Sequence, residues 1–147
     1  MSFFPDSNIF IYAIDPTSSE KHNTAKGIVD RWLSSPTVLP RQILGEILNV
    51  GHKRHGPRLE ACREMVAMLE DATVIAPTTR ETMAIATEVT ERYKLQFWDA
   101  LIFVIGTRAG ASTFLTEDMH DGLNVGSSRI INPFASANFS LVDELLR

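Results

Sequence analysis

Short apolar runs of strand character alternate with stretches of helical period along almost the whole chain. Phe3-Phe4, "TVLP", "ATVIAP", "STFLTED" and "RIINPF" read as strands, each too short to stand alone. Between them the apolar residues recur at three and four positions. Ala25, Ile28, Val29, Trp32 and Leu33 mark one such helix, opened by Ser18 or Ser19. Ile43, Ile47 and Val50 mark another in "RQILGEILNVGHKR", and "HGPR" breaks the chain after it. Leu59, Cys62, Val66 and Leu69 mark a third. Met83, Ala86, Val89 and Tyr93 follow a Thr78 or Thr79 cap, and "FWDALIFVIGTRAGA" gives another helix ending near Gly110. Strands that alternate with helices build a parallel sheet covered on both faces, so an α/β fold is expected.

Near the start, Ser7 or Asn8 is expected to cap a short helix from Ile9 to Ile14, stopped by Asp15-Pro16. The tail "SLVDELLR" carries a Ser140-x-x-Asp143 capping box and predicts a final helix or an interaction arm. A length of 147 residues fits a single domain over 1–147, with a core over about 3–134 and an arm over 135–147. Neither repeats nor linkers interrupt it.

Composition narrows the function classes. A net charge of −4 gives no global signal for a dedicated nucleic-acid binder, although a local patch or a bound cation can carry such a contact. Cys62 is the only cysteine, which predicts a small buried hydrophobe in a reducing cytoplasm rather than a disulfide. The longest uncharged apolar stretch, "ALIFVIGT", is far below the roughly 20 residues of a membrane span.

Against that background, acids stand where apolar residues are expected. Asp6 follows Phe3-Phe4, Asp99 opens "DALIFVIG", and Asp118 follows "TFL". Glu46 shares the inward face of its helix with Ile43 and Val50. In open parallel sheets, ligands bind outside the carboxyl ends of the strands, and right-handed crossovers bring those ends to one edge. Asp6 and Asp118 can therefore meet. Converging carboxylates without basic partners repel, and are kept by raised pKa values or by a cation. Carboxylate oxygens suit Mg²⁺ or Mn²⁺. Zinc is disfavoured, because His22, His52, His55 and His120 show no paired ligand spacing.

The stretches "PDSNIFIYAID", "GEILNV", "FWDALI" and "LTEDMHDG" resemble the four acidic motifs of the PIN-domain ribonucleases, most closely the VapC-type toxins of bacterial toxin–antitoxin pairs. The similarity runs from about residue 3 to residue 134. It implies a three-layer α/β/α fold with a central, mainly parallel sheet, and a Mg²⁺- or Mn²⁺-dependent endoribonuclease. It implies an RNA substrate, a homodimer, a cognate antitoxin and no membrane. By the family pattern Asp6, Glu46, Asp99 and Asp118 are catalytic and hold the metal. Ser7, Asn8 and Thr116 match the polar positions that orient those acids. Glu117, Asp121 and Asp143 read as solvated, although Asp121 also matches a less regular fifth acid of the family pattern.

The run "HKRHGPR" has two readings: RNA contacts through Lys53, Arg54 and Arg58 flanked by His52 and His55, or a solvated helix end whose cations suit the dipole. Trp32 and other apolar residues of the early helices or the tail are expected to exceed one small core, which predicts a two-fold dimer. Two rival classes are weighed. A haloacid-dehalogenase-type phosphatase or a receiver domain wants paired N-terminal acids, but Asp6 is followed by Ser7 and Asn8. A catalytically silent RNA- or partner-binding domain would tolerate loss of an acid, and all four are present.

Overall fold

The structure is a computed structural model that describes residues 2–53 and 56–147. Six strands and seven α-helices alternate among the described residues. Strand β1 (Phe3–Pro5) pairs in parallel with β4 (Thr113–Leu115), which pairs in parallel with β6 (Ser128–Ile131). A two-residue strand β5 (Asn124–Val125) closes that sheet antiparallel to β6. It has no signature in the sequence because two residues cannot display a period. Strands β2 (Val38–Pro40) and β3 (Val74–Ala76) form a second parallel pair, so the hydrogen-bonded strands fall into two sets.

All three residues of β4 are buried, as expected for a central parallel strand covered on both faces. Helices α1 (Ser7–Ala13) and α2 (Ser19–Trp32) pack as one pair. Helices α3 (Arg41–Gly51) and α4 (Leu59–Ala72) form a second, and α5 (Arg80–Tyr93) and α6 (Phe97–Arg108) a third. Helix α6 is buried from Ala100 through Gly106, so its sequence shows hardly any polar face. It lies so close to β1 that a Cβ on Gly106 would stand 2.8 Å from the Phe4 ring, and only glycine fits there.

The core centres on aromatic rings. Phe4 stacks on Phe114 at 5.8 Å and meets the edge of Trp32 at 5.7 Å, while Phe10 meets Trp32 at 5.4 Å. Trp32 is only 6% exposed, which corrects the expectation that it is surplus to one core. The tail also differs from its sequence pattern. A 3₁₀ turn (Ser136–Asn138) leads into α7 (Phe139–Leu145), which buries Val142 and Leu145. The N-cap position of α7 is Asn138 and not Ser140, and its side chain makes no cap hydrogen bond. Its amide is spent instead on Asp121 and on the Asn132 carbonyl. No described helix is long and apolar enough to cross a membrane.

Candidate active site

Backbone geometry sets two polar residues side by side at the carboxyl edge of the main sheet. The Asp6 amide donates to the Leu115 carbonyl at 2.9 Å, and the Thr116 amide donates to Ile131 at 3.0 Å. The parallel ladder thus continues one residue beyond β1 and β4, with Asp6 next to Thr116. Asp6 rather than Ser7 or Asn8 is the N-cap of α1, its Oδ1 accepting from the Ser7 amide at 2.7 Å. An acid suits this position because the helix N-terminus is the positive end of its dipole.

A chain of hydrogen bonds then links the acids. The Thr116 hydroxyl donates to Asp6 Oδ2 at 2.9 Å, and the Ser7 hydroxyl donates to Glu46 Oε2 at 2.5 Å. Gln42, one turn before Glu46 on α3, holds Glu46 Oε1 at 3.0 Å. Asn8 Nδ2 donates to Thr116 Oγ1 at 3.0 Å and to Asp118 Oδ2 at 3.1 Å. Asp99 lies in the first turn of α6, where its amide is capped by Gln96 at 3.0 Å. Among the described residues, no protein donor bonds to its carboxylate.

Burial is the first cause of the charge state here. It pushes the Asp6 carboxyl up to about 7; the bonds from Ser7 and Thr116 pull the other way, and repulsion by Asp99 and Glu46 adds to the rise. Asp99 is pushed up to about 6 by burial and by repulsion from Glu46 and Asp118. Glu46 and Asp99 are therefore near enough to oppose the ionisation of Asp6, and Glu46 and Asp118 that of Asp99. Two ion pairs occur among the described residues, Lys21–Glu117 and Arg108–Glu81, and neither touches the four.

The donor set fits a hard divalent cation: carboxylate oxygens, hydroxyls and amide carbonyls, with no sulfur or imidazole. Two buried acceptors point the same way, since Asn8 Oδ1 and Gln42 Oε1 have no protein donor. Among the described residues, however, no three His, Cys, Asp or Glu side chains stand as a closed metal cage. Hydroxyl and amide spacers hold the carboxylates apart, and like charges have no reason to close up by themselves. The acids also line neither of two surface cavities of about 430 and 590 Å³, which border Trp32 and Gly106, and Phe103 and Val125, respectively. Asp118 is exposed, so the acids face an open surface and not an enclosed hollow.

Other expectations are corrected. Glu117 is not simply solvated: it accepts from the Tyr12 hydroxyl and pairs with Lys21 at 2.8 Å. Asp121 accepts from the Asn132 amide at 2.8 Å and from Asn138 at 2.9 Å, which ties the start of the tail to the sheet. Lys53 and Arg58 are exposed, Lys53 following the C-terminus of α3 and lying about 10 Å along its axis from Glu46. Arg54 and His55 lie outside the described residues. Sequence inspection missed Gln42, whose signal was its place one helical turn before Glu46. It also missed Trp98, which is 52% exposed beside Asp99.

An α/β/α fold with an acid cluster at the carboxyl edge of a parallel sheet defines a class of metal-site proteins. The PIN-domain family model matches residues 3–120, and the chain belongs to the PIN-domain family. Nucleases of that family generally use a divalent metal. One similar solved structure is the Mycobacterium tuberculosis toxin VapC20, which cleaves the sarcin–ricin loop. It is 21% identical with a TM-score of 0.60, over 77% of this chain and 87% of that one. Another is a chain of a toxin–antitoxin complex from Klebsiella pneumoniae, 17% identical with a TM-score of 0.63, over 91% of this chain and 98% of that one. At such identities the likeness is one of fold. No curated protein matches the sequence.

Proposed function

We propose that the chain is a Mg²⁺- or Mn²⁺-dependent endoribonuclease of the VapC toxin type, with Asp6, Glu46, Asp99 and Asp118 holding the metal at the reacting phosphate. One observation carries the proposal. Within a PIN domain, Asp6 and Asp99 have carboxyls raised to about 7 and about 6, with no ion-pair partner among the described residues. Such a cluster is costly unless a cation joins it.

When bound, the ion supplies Lewis-acid polarisation of the phosphoryl oxygen and lowers the pKa of water beside it. The remaining work falls to the chain. Ser7 and Thr116 fix the two oxygens of Asp6, Gln42 and Ser7 fix Glu46, and Asn8 fixes Asp118. The acids thereby keep their orientation when substrate arrives, which is the role assigned to Ser7, Asn8 and Thr116. The carboxylate of Asp99, bonded to no described donor, is left open to the metal. Lys53 and Arg58, with Arg54, contact RNA phosphates away from the scissile one.

The partners follow from the same reading. The Klebsiella structure is a toxin–antitoxin complex, which supports a cognate antitoxin for this chain. A homodimer and a cytoplasmic location complete the proposal. Residues 3–134 and the arm 135–147 act as one domain, supported by the Asp121–Asn138 bond and by buried Leu145.

Cleavage of RNA by the purified protein tests this directly. Mg²⁺ or Mn²⁺ should support it, EDTA should abolish it, and Asp6→Asn should be inactive. The products should carry a 5′-phosphate and a 3′-hydroxyl. A 2′,3′-cyclic phosphate would mean that the RNA 2′-hydroxyl, and not water, is the nucleophile.

A further inference from the structure

An exposed large apolar side chain by itself requires no explanation. Of those described here, Met68, Val74, Met83, Trp98 and Phe139, only Trp98 is a chain neighbour of one of the four acids. One contact meets its ring and another its backbone. The Phe97 ring meets its edge at 5.1 Å and an angle of 74°. Its carbonyl stands 3.5 Å from Gln42 Nε2, the same amide that holds Glu46 at 3.0 Å. The Trp98 backbone is thus tied to the α3 amide that holds Glu46, one residue before Asp99 in α6, and 52% of the residue's surface is open.

We propose that Trp98 is a stacking platform for an unpaired base next to the scissile phosphate, an inference that rests on the ribonuclease reading above. Electrostatics favours such a device beside the cation and the basic run at Lys53 and Arg58. A chain of net charge −4 with four clustered acids repels a polyanion, and neither described ion pair lies at the cluster. Stacking on an aromatic face works without charge, and every base has a π-face to offer. A rigid indole with two rotatable bonds loses little conformational freedom in doing so. Single strands and loops, whose bases can swing out, are the RNA class that such a platform selects.

The chain has two tryptophans, and Trp32 is buried, so red-shifted emission comes from Trp98 alone. Titration of an unpaired RNA oligonucleotide into the Asp6→Asn protein, which cannot cut it, should quench that emission. In steady-state cleavage with Mg²⁺, Trp98→Ala should raise KM roughly five- to one-hundred-fold, with kcat changed far less. Trp98→Phe should recover most of the loss. If wild type cleaves while Trp98→Ala keeps KM within twofold, or if RNA leaves the emission unchanged, the platform is overturned alone. A Trp98→Ala change that alters only the oligomeric state or the grip on a protein partner overturns it as well. A wild type that neither binds nor cuts RNA overturns the ribonuclease reading together with the platform.

Discussion

Two neighbouring carboxylates, Glu117 and Asp118, leave β4 together and meet opposite fates. Glu117 enters a closed cluster: the Tyr12 hydroxyl donates to it, Lys21 pairs with it, and the Lys21 ammonium lies 5.0 Å from the Tyr12 ring and 5.5 Å from the Phe134 ring. Its hydrogen bond to Glu117 holds the Lys21 ammonium above its ordinary range. Asp118 turns the other way, toward Asn8 and the three other acids, where no described cation pairs with it. The chain can evidently neutralise an acid at this edge of the sheet. Leaving four without a partner is then a standing electrostatic cost, of the sort that marks functional sites.

Removing one of the unpaired acids should have the largest effect on activity and no adverse effect on stability. Asp6→Asn or Asp99→Asn is expected to lower cleavage by on the order of a hundredfold or more, while metal-free thermal stability holds or rises because a repelling charge is gone. Loss of both activity and melting temperature would show that these acids support the fold. A smaller loss, roughly ten- to one-hundredfold, is expected for Asn8→Ala or Thr116→Val, which free Asp118 and Asp6 to reorient. For those variants the circular dichroism spectrum should stay that of wild type.

Metal and pH sharpen the contrast through stability. Saturating Mg²⁺ or Mn²⁺ at a hundred times its Kd should stabilise wild type by about 2.7 kcal/mol, and Asp6→Asn by less. Without metal, Asp6 and Asp99 have folded-state pKa values of about 7 and about 6, above their ordinary 3.8. Between those limits the folded chain binds more protons than the unfolded one, so this contribution to stability falls as pH rises from about 4 to about 7. Melting scans with EDTA should therefore show higher stability at pH 5.5 than at pH 8. That slope should shrink in Asp6→Asn and with bound metal. Identical slopes in all three samples would remove the acids as its cause.

The smallest effect belongs to the neutralised side. Lys21→Met should cost only about 1 kcal/mol, because the lysine is well exposed and solvent screens the pair. Divalent metal should restore nothing there, whereas it stabilises the unpaired cluster. Rescue of Lys21→Met by Mg²⁺ would erase the distinction between the two regions.

Much of this contrast was visible before any coordinates. Asp6, Glu46, Asp99 and Asp118 each sit in an apolar or amphipathic context that a sequence displays, and a helix as apolar as "ALIFVI" declares its own burial. Caps were harder to read. Three consecutive candidates, Asp6, Ser7 and Asn8, are all good cap residues, and the parallel ladder from Asp6 to Leu115 decides among them. Ser140 and Asp143 have capping-box spacing, yet the 3₁₀ turn at Ser136–Asn138 starts the helix earlier.

Sequence alone determined the alternation of strand and helix, the order of the four acids and the absence of any Lys or Arg next to them in the chain. Those are local properties, carried by period, residue type and spacing. Tertiary structure decided which carboxylate is neutralised and which is not. Lys21 is 96 residues from Glu117, and Thr116 is 110 from Asp6, distances that no spacing rule bridges. It also decided that Trp32 is core and Trp98 is surface. Burial depends on what the rest of the chain packs against each ring, and in sequence both are aromatic residues in helices.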